Sequence, residues 1–109
     1  MLVDFSAIPE TVIPHMRGGE KEVHAHMFTD EMGKIMYGKL PAGASIGLHT
    51  HETNCEVIYI LSGTGKVLCD GAYEPLVPGA CHYCPKGHAH SLINDSDGDL
   101  VFFAVVPEQ

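Results

Sequence analysis

Apolar residues in this chain recur in short runs at a period of two. The clearest run is Glu56-Val57-Ile58-Tyr59-Ile60-Leu61, which sets Glu56, Ile58 and Ile60 on one face and Val57, Tyr59 and Leu61 on the other. No window of about 12 residues carries an apolar stripe at the helical period. Strands are predicted at residues 2–5 (a short edge strand), 22–28, 34–40, 45–51, 55–61, 66–69, 73–77, 80–84, 88–93 and 99–106. The punctuation between them is dense. Ile8-Pro9 and Ile13-Pro14 break regular structure, 16–20 reads as loop, and 29–33 and 94–98 read as turns. Asp70-Gly71 is a hairpin turn, since both residues tolerate positive φ. Pro78-Gly79 and Pro85-Lys86-Gly87 turn the chain again. Many short strands at close spacing predict an all-β sandwich or barrel.

Composition narrows the setting. A chain of 109 residues makes one domain, and 45% hydrophobic with 18% charged residues is the balance of a folded protein. The net charge is −8, and the six Lys and Arg form no cluster. Binding to a phosphate backbone or an anionic membrane needs several cations on one face, so neither nucleic acid nor membrane is an expected partner. No run approaches the ~18 apolar residues of a membrane helix. The first residues, MLVDFSAIPE, lack the basic and apolar regions of a signal peptide. A cytoplasmic location is expected, with Cys55, Cys69, Cys81 and Cys84 as reduced thiols.

The chemistry-bearing residues concentrate in two stretches. In the first, Gly43 is followed after five residues by His49, after one by His51, after four by Glu56 and after six by Gly63. His49 and His51 share a strand face, and two imidazoles with a carboxylate suit a first-row divalent metal. In the second, Gly79 is followed after five residues by Pro85, after one by Gly87, after two by His90 and after three by Asn94. Together they resemble the two signature motifs of the cupin superfamily, with every motif position filled.

The resemblance implies a small antiparallel barrel of jelly-roll type (the double-stranded β-helix), with residues 1–109 as a single cupin domain and motifs at 43–63 and 79–94. It implies that His49, His51, Glu56 and His90 converge on one divalent transition metal. Iron, manganese, nickel, cobalt and zinc all suit such a set. The function implied is a small metalloenzyme acting on a small organic acid or sugar derivative, by dioxygenation, decarboxylation or isomerase/lyase chemistry. The alternative is a non-catalytic cupin that binds or senses a metal or small ligand. No catalytic acid or base is assigned; Tyr37, Tyr83, His82 and Cys84 are the available candidates. A homodimer is expected, with Val57, Tyr59 and Leu61 as an outward apolar row.

Several further groups compete for a role. Gly18, His24, His26, Glu31 and Gly38 repeat the first spacing, each 25 residues earlier. Strand context favours the later set, because Glu31 falls in a turn whereas Glu56 leads an apolar strand. Cys81 and Cys84 lie on opposite strand faces and read as unrelated packing thiols. His82 and Cys84 share a face and are candidates to line the cavity. His88 follows the Pro-x-Gly turn and is expected at the surface. Asp95, Asp97 and Asp99 lack the glycine offset and closing glutamate of a calcium loop. Ile58 and Ile60, with Met36 and Phe102 or Phe103, are expected to make the cavity small and largely apolar.

Overall fold

The computed structural model describes residues 1–109. Ten strands form: β1 (Thr11–Pro14), β2 (Glu22–Asp30), β3 (Gly33–Leu40), β4 (His49–Thr50), β5 (Glu56–Ser62), β6 (Gly65–Cys69), β7 (Ala72–Leu76), β8 (Cys81–Cys84), β9 (Ala89–Ile93) and β10 (Leu100–Pro107). They build a six-stranded sheet in the order β1-β2-β3-β10-β5-β8 and a four-stranded sheet in the order β4-β9-β6-β7. Every pairing is antiparallel. This is the jelly-roll architecture expected. No helix is long and apolar enough to cross a membrane.

The alternation carries through to the packing. In β10, Leu100, Phe102, Ala104 and Val106 are buried while the residues between them are partly exposed. In β5, Glu56, Ile58 and Ile60 turn inward. Val23, Ala25, Met36 and Leu40 join them from the six-stranded sheet, and Val67, Leu76 and Leu92 from the other. Asp70 and Gly71 both take positive φ, at 51° and 82°, and close the β6–β7 hairpin.

Two expected strands differ. Residues 2–5 form no strand; a 3-10 turn runs over Phe5–Ala7 instead, capped by Asp4, whose carboxylate accepts from the Ser6 amide at 3.0 Å. The first strand is Thr11–Pro14, where the sequence predicts that Ile13-Pro14 breaks regular structure. It lies at the edge of its sheet, where the N–H that Pro14 lacks is not needed by a neighbour. The strand predicted over 45–51 is only His49–Thr50. Ser45 makes an isolated bridge to Ile93, but the amide of Gly47 turns away to donate to the Met16 carbonyl at 3.0 Å. The ladder is interrupted there.

Candidate metal centre

His49 and His51 flank Thr50 on one side of the short β4, and Glu56 opens β5. His90 lies on β9 directly opposite His49. The turn after β8 carries Pro85 and Gly87, and His88 N bonds back to Pro85 O at 3.1 Å, so β9 starts in register with β4. One ligand atom from each of His49, His51, Glu56 and His90 lies within 4.8 Å of all the others, and this group could hold a metal ion. His90 is 1% exposed and Glu56 5%.

The bonds around the three rings fix which nitrogen faces inward. His49 Nδ1 donates to the Gly47 carbonyl at 2.7 Å, which leaves Nε2 as the lone-pair nitrogen of a neutral ring. His51 Nδ1 faces Asn54 Oδ1. The Asn54 amide is oriented in turn because its Nδ2 donates to Glu108 Oε1 at 3.1 Å. His90 Nδ1 meets His82 Nε2 at 2.9 Å, and the two rings stack. All three Nε2 atoms therefore point at one spot. His90 Nε2 lies 2.9 Å from His51 Nε2, 3.2 Å from His49 Nε2 and 3.0 Å from Glu56 Oε1. Were all three rings neutral with Nε2 unprotonated, lone pair would face lone pair beside a carboxylate. A cation at the centre relieves that arrangement, and the donor set fits a first-row divalent metal.

The protonation tendencies agree. Burial pushes the Glu56 carboxyl up, yet bonds from the His51 and His90 rings outweigh it and hold the carboxyl at about 2. Glu56 raises His51 above its ordinary value, while burial and the charge of Arg17 oppose. Burial lowers His49. In the absence of a metal, protons on imidazole offset the buried carboxylate; a metal ion competes for the same lone pairs.

The rest of the sequence-nominated residues fall elsewhere. His24 and His26 lie on the outer face of β2, with His24 bonded to Glu10 at 3.0 Å and to Glu22 at 3.3 Å. Glu31 is exposed in the β2–β3 turn, and Gly38 lies within a strand rather than a turn, so the earlier repeat of the spacing does not converge. Cys81 is exposed and Cys84 buried, on opposite faces as expected. His88 pairs with Asp70 at 2.6 Å near the surface.

Above the four ligands is a cavity of about 250 Å³ lined by 17 residues, 6 of them hydrophobic. Its polar character differs from the apolar wall expected. Met36 and Ile58 line it, but Ile60 and Phe102 are buried in the core beyond it. Arg17 from the 16–18 turn and Thr29, Asp30 and Lys34 from the β2–β3 hairpin contribute instead, with Asn54 and Glu108. Strand residues such as Met36, Ile58, His90 and Leu92 line it together with these loop and hairpin residues. His82 and Cys84 share the inward face but do not line it: His82 backs onto His90, and Cys84 packs against the His88 carbonyl at 3.6 Å. Tyr37 and Tyr83 are on the surface. Sequence reasoning missed Asn54, Glu108, Arg17 and Lys34. None has a local signal, since each is an ordinary polar residue until the fold brings it to the cavity.

Comparison with known proteins agrees with this architecture. The family model described as "Cupin domain" matches residues 36–106. An oxalate-binding protein from Thermotoga maritima is 37% identical over 115 residues, covering 97% of this chain and 93% of that one. A crystal structure from Thermotoga maritima, described as a predicted oxalate decarboxylase, superposes with a TM-score of 0.93 at 34% identity, covering 100% of both chains. A cupin-superfamily sugar phosphate isomerase from Silicibacter pomeroyi shares the fold at 20% identity, with a TM-score of 0.81, covering 100% of this chain and 76% of that one.

Proposed function

The chain belongs to the cupin family, and from that premise we propose that it is a metal-dependent protein that takes a small organic acid into the cavity above His49, His51, Glu56 and His90. The observation that carries this reading is the convergence of three Nε2 atoms and one carboxylate oxygen at the floor of an open cavity. A divalent transition ion held by these residues would supply Lewis acidity toward a carboxylate oxygen. The chain's own part is to fix the three ring orientations, through Gly47, Asn54 and His82, and to limit the ligand by volume. A cavity of about 250 Å³ lies below the usual range for drug-sized ligands and suits a small metabolite. The names of the two Thermotoga maritima relatives make oxalate the first acid to test, with decarboxylation as the reaction.

A second reading, binding without turnover, is favoured by one observation. None of the four candidate acids and bases named from sequence lines the cavity. Iron, manganese, nickel, cobalt and zinc remain equal candidates. We further take residues 1–109 to act as one cupin unit that pairs as a homodimer. Four cysteines without a disulfide suit a reducing compartment such as the cytosol.

The test is to load metal-free protein anaerobically with each divalent metal and add oxalate. Calorimetry reads binding, and carbon dioxide and formate are assayed for turnover. Binding with at least one metal, abolished in His90→Ala, is the expected result. Product formation selects the enzyme, and binding without product selects the alternative. No binding of oxalate or of a panel of small acids with any metal would overturn the reading.

A further inference from the structure

The loop over the cavity is built against its own conformational preference. Four non-glycine residues of the chain have left-handed φ, and three of them are His15 (49°), Arg17 (55°) and Lys21 (56°). L side chains adopt this region rarely and at a cost, so such residues persist only where neighbours enforce them. Here they do. His15 N donates to the Lys21 carbonyl at 2.7 Å, Gly47 N to the Met16 carbonyl at 3.0 Å, and Ser45 N to the Glu20 carbonyl at 3.0 Å. Ser45 Oγ accepts from the Glu20 amide at 2.9 Å.

Two glycines permit this docking. A Cβ on Gly19 would lie 2.1 Å from the Ser45 carbonyl oxygen, and one on Gly47 2.0 Å from the Arg17 carbonyl oxygen. The Gly47 carbonyl is also the acceptor that orients His49. Loop, Gly47 and ligand histidine thus form one connected unit, and the backbone of Arg17 is fixed relative to the metal ligands.

Charge gives the loop its chemical meaning. The chain has only six Lys and Arg, yet Arg17 and Lys34 both line the cavity. The acids of the same wall are already engaged. Glu56 bonds the imidazoles, Glu108 bonds Thr53 and Asn54, and Asp30 accepts from the Met32 amide. Neither Arg17 nor Lys34 has a carboxylate within 4.0 Å. A guanidinium presents paired N–H donors that match a carboxylate, whereas an ammonium is a less directional point charge.

We propose that Arg17 is a specificity-determining residue: its guanidinium takes the carboxylate oxygens of the ligand that the metal does not, so the site selects small dianionic acids over monoanionic ones. This rests on the metal-dependent acid-binding reading above and adds to it the residue that reads the second charge.

The test compares oxalate with glycolate, which keeps one carboxylate and replaces the other with a neutral hydroxyl. Cobalt-loaded protein is titrated with each acid and followed by its visible absorption, with protein-bound cobalt measured after each titration. Wild-type protein is expected to bind oxalate at least ~10-fold more tightly than glycolate. Arg17→Ala should weaken oxalate by roughly 10- to 100-fold, the scale of a lost charged hydrogen bond, and leave glycolate within about 3-fold. Arg17→Lys should restore only part of the loss, and neither variant should change cobalt affinity in competition with a chelating dye. If wild type binds oxalate and Arg17→Ala binds it equally, the inference about Arg17 fails and the acid-binding reading stands. Equal losses for both acids would show a general effect of charge and also overturn the selectivity. If wild type binds no acid, both fail.

Discussion

At the residue scale, the geometry of the candidate centre depends on groups outside the set of four. His51 presents Nε2 inward because Asn54 Oδ1 takes its Nδ1, and Asn54 is oriented because Glu108 takes its amide N–H. Glu108 is held by Thr53 Oγ1 at 3.0 Å as well. Removing the middle of this relay frees the ring to rotate or change tautomer. Asn54→Ala is therefore expected to lower metal affinity by roughly 10- to 100-fold with the fold intact, and Glu108→Ala to act in the same direction with a smaller effect. Chelator-dye competition measures both. Unchanged affinity in Asn54→Ala would mean that the ring is fixed by its strand alone. His24 is the matched control, since it bonds Glu10 and Glu22 on the outer face. The candidate set His49, His51, Glu56 and His90 was legible through the resemblance of its two stretches to the cupin motifs; Asn54 and Glu108 were not, because their link is a bridge between residues distant in the chain.

At the element scale, the strands were legible wherever alternation and turn residues agreed, as in β5, β6, β7 and β10. The two that shifted did so because of neighbours. Pro14 is tolerated by an edge position, and β4 is short because Gly47 bonds to a loop. One strand residue shows how tightly the elements constrain each other. Gly38 of β3 pairs with Phe102 of β10, and a Cβ there would approach the Phe102 ring to 2.5 Å. Phe102 is fully buried, so the ring has nowhere to retreat. Gly38→Ala is expected to cost about 1–3 kcal/mol, the usual range for overpacking. Phe102→Leu should also destabilise alone, yet the double variant should be more stable than the sum of the two predicts. Urea denaturation would measure the cycle, and strict additivity would remove the ring as the cause.

At the scale of the whole molecule, the outer face of the six-stranded sheet is unusually apolar. The register aligns Tyr83, Val57, Val105, Ile35 and Phe28 in one row across five strands. Beside it run Tyr59, Phe103 and Tyr37. Phe5 covers part of this second row, with ring centroids 5.9 Å from Tyr37 and 6.2 Å from Phe103. Tyr83 remains 55% exposed, Tyr59 43% and Leu61 42%. We propose that two copies of the chain pair through this face. Sedimentation at micromolar concentration is expected to give a dimer mass, reduced to a monomer in Val57→Asp. A monomeric wild type would refute the pairing.

The sequence by itself determined the strand periodicity, the turns, and a candidate ligand set whose members lie on two stretches of chain. The periodicity and the turns follow from local sterics, and the candidate set rests on the resemblance of the two stretches to the cupin motifs. The tertiary structure places His49 and His51 beside Glu56 and leaves His24 and His26 on the outer face, the choice that strand context favoured. It alone brought His82, Asn54 and Glu108 behind the ligands and made the cavity polar rather than apolar. Those properties depend on which strands and loops meet around the cavity, and the pairing of distant segments sets that.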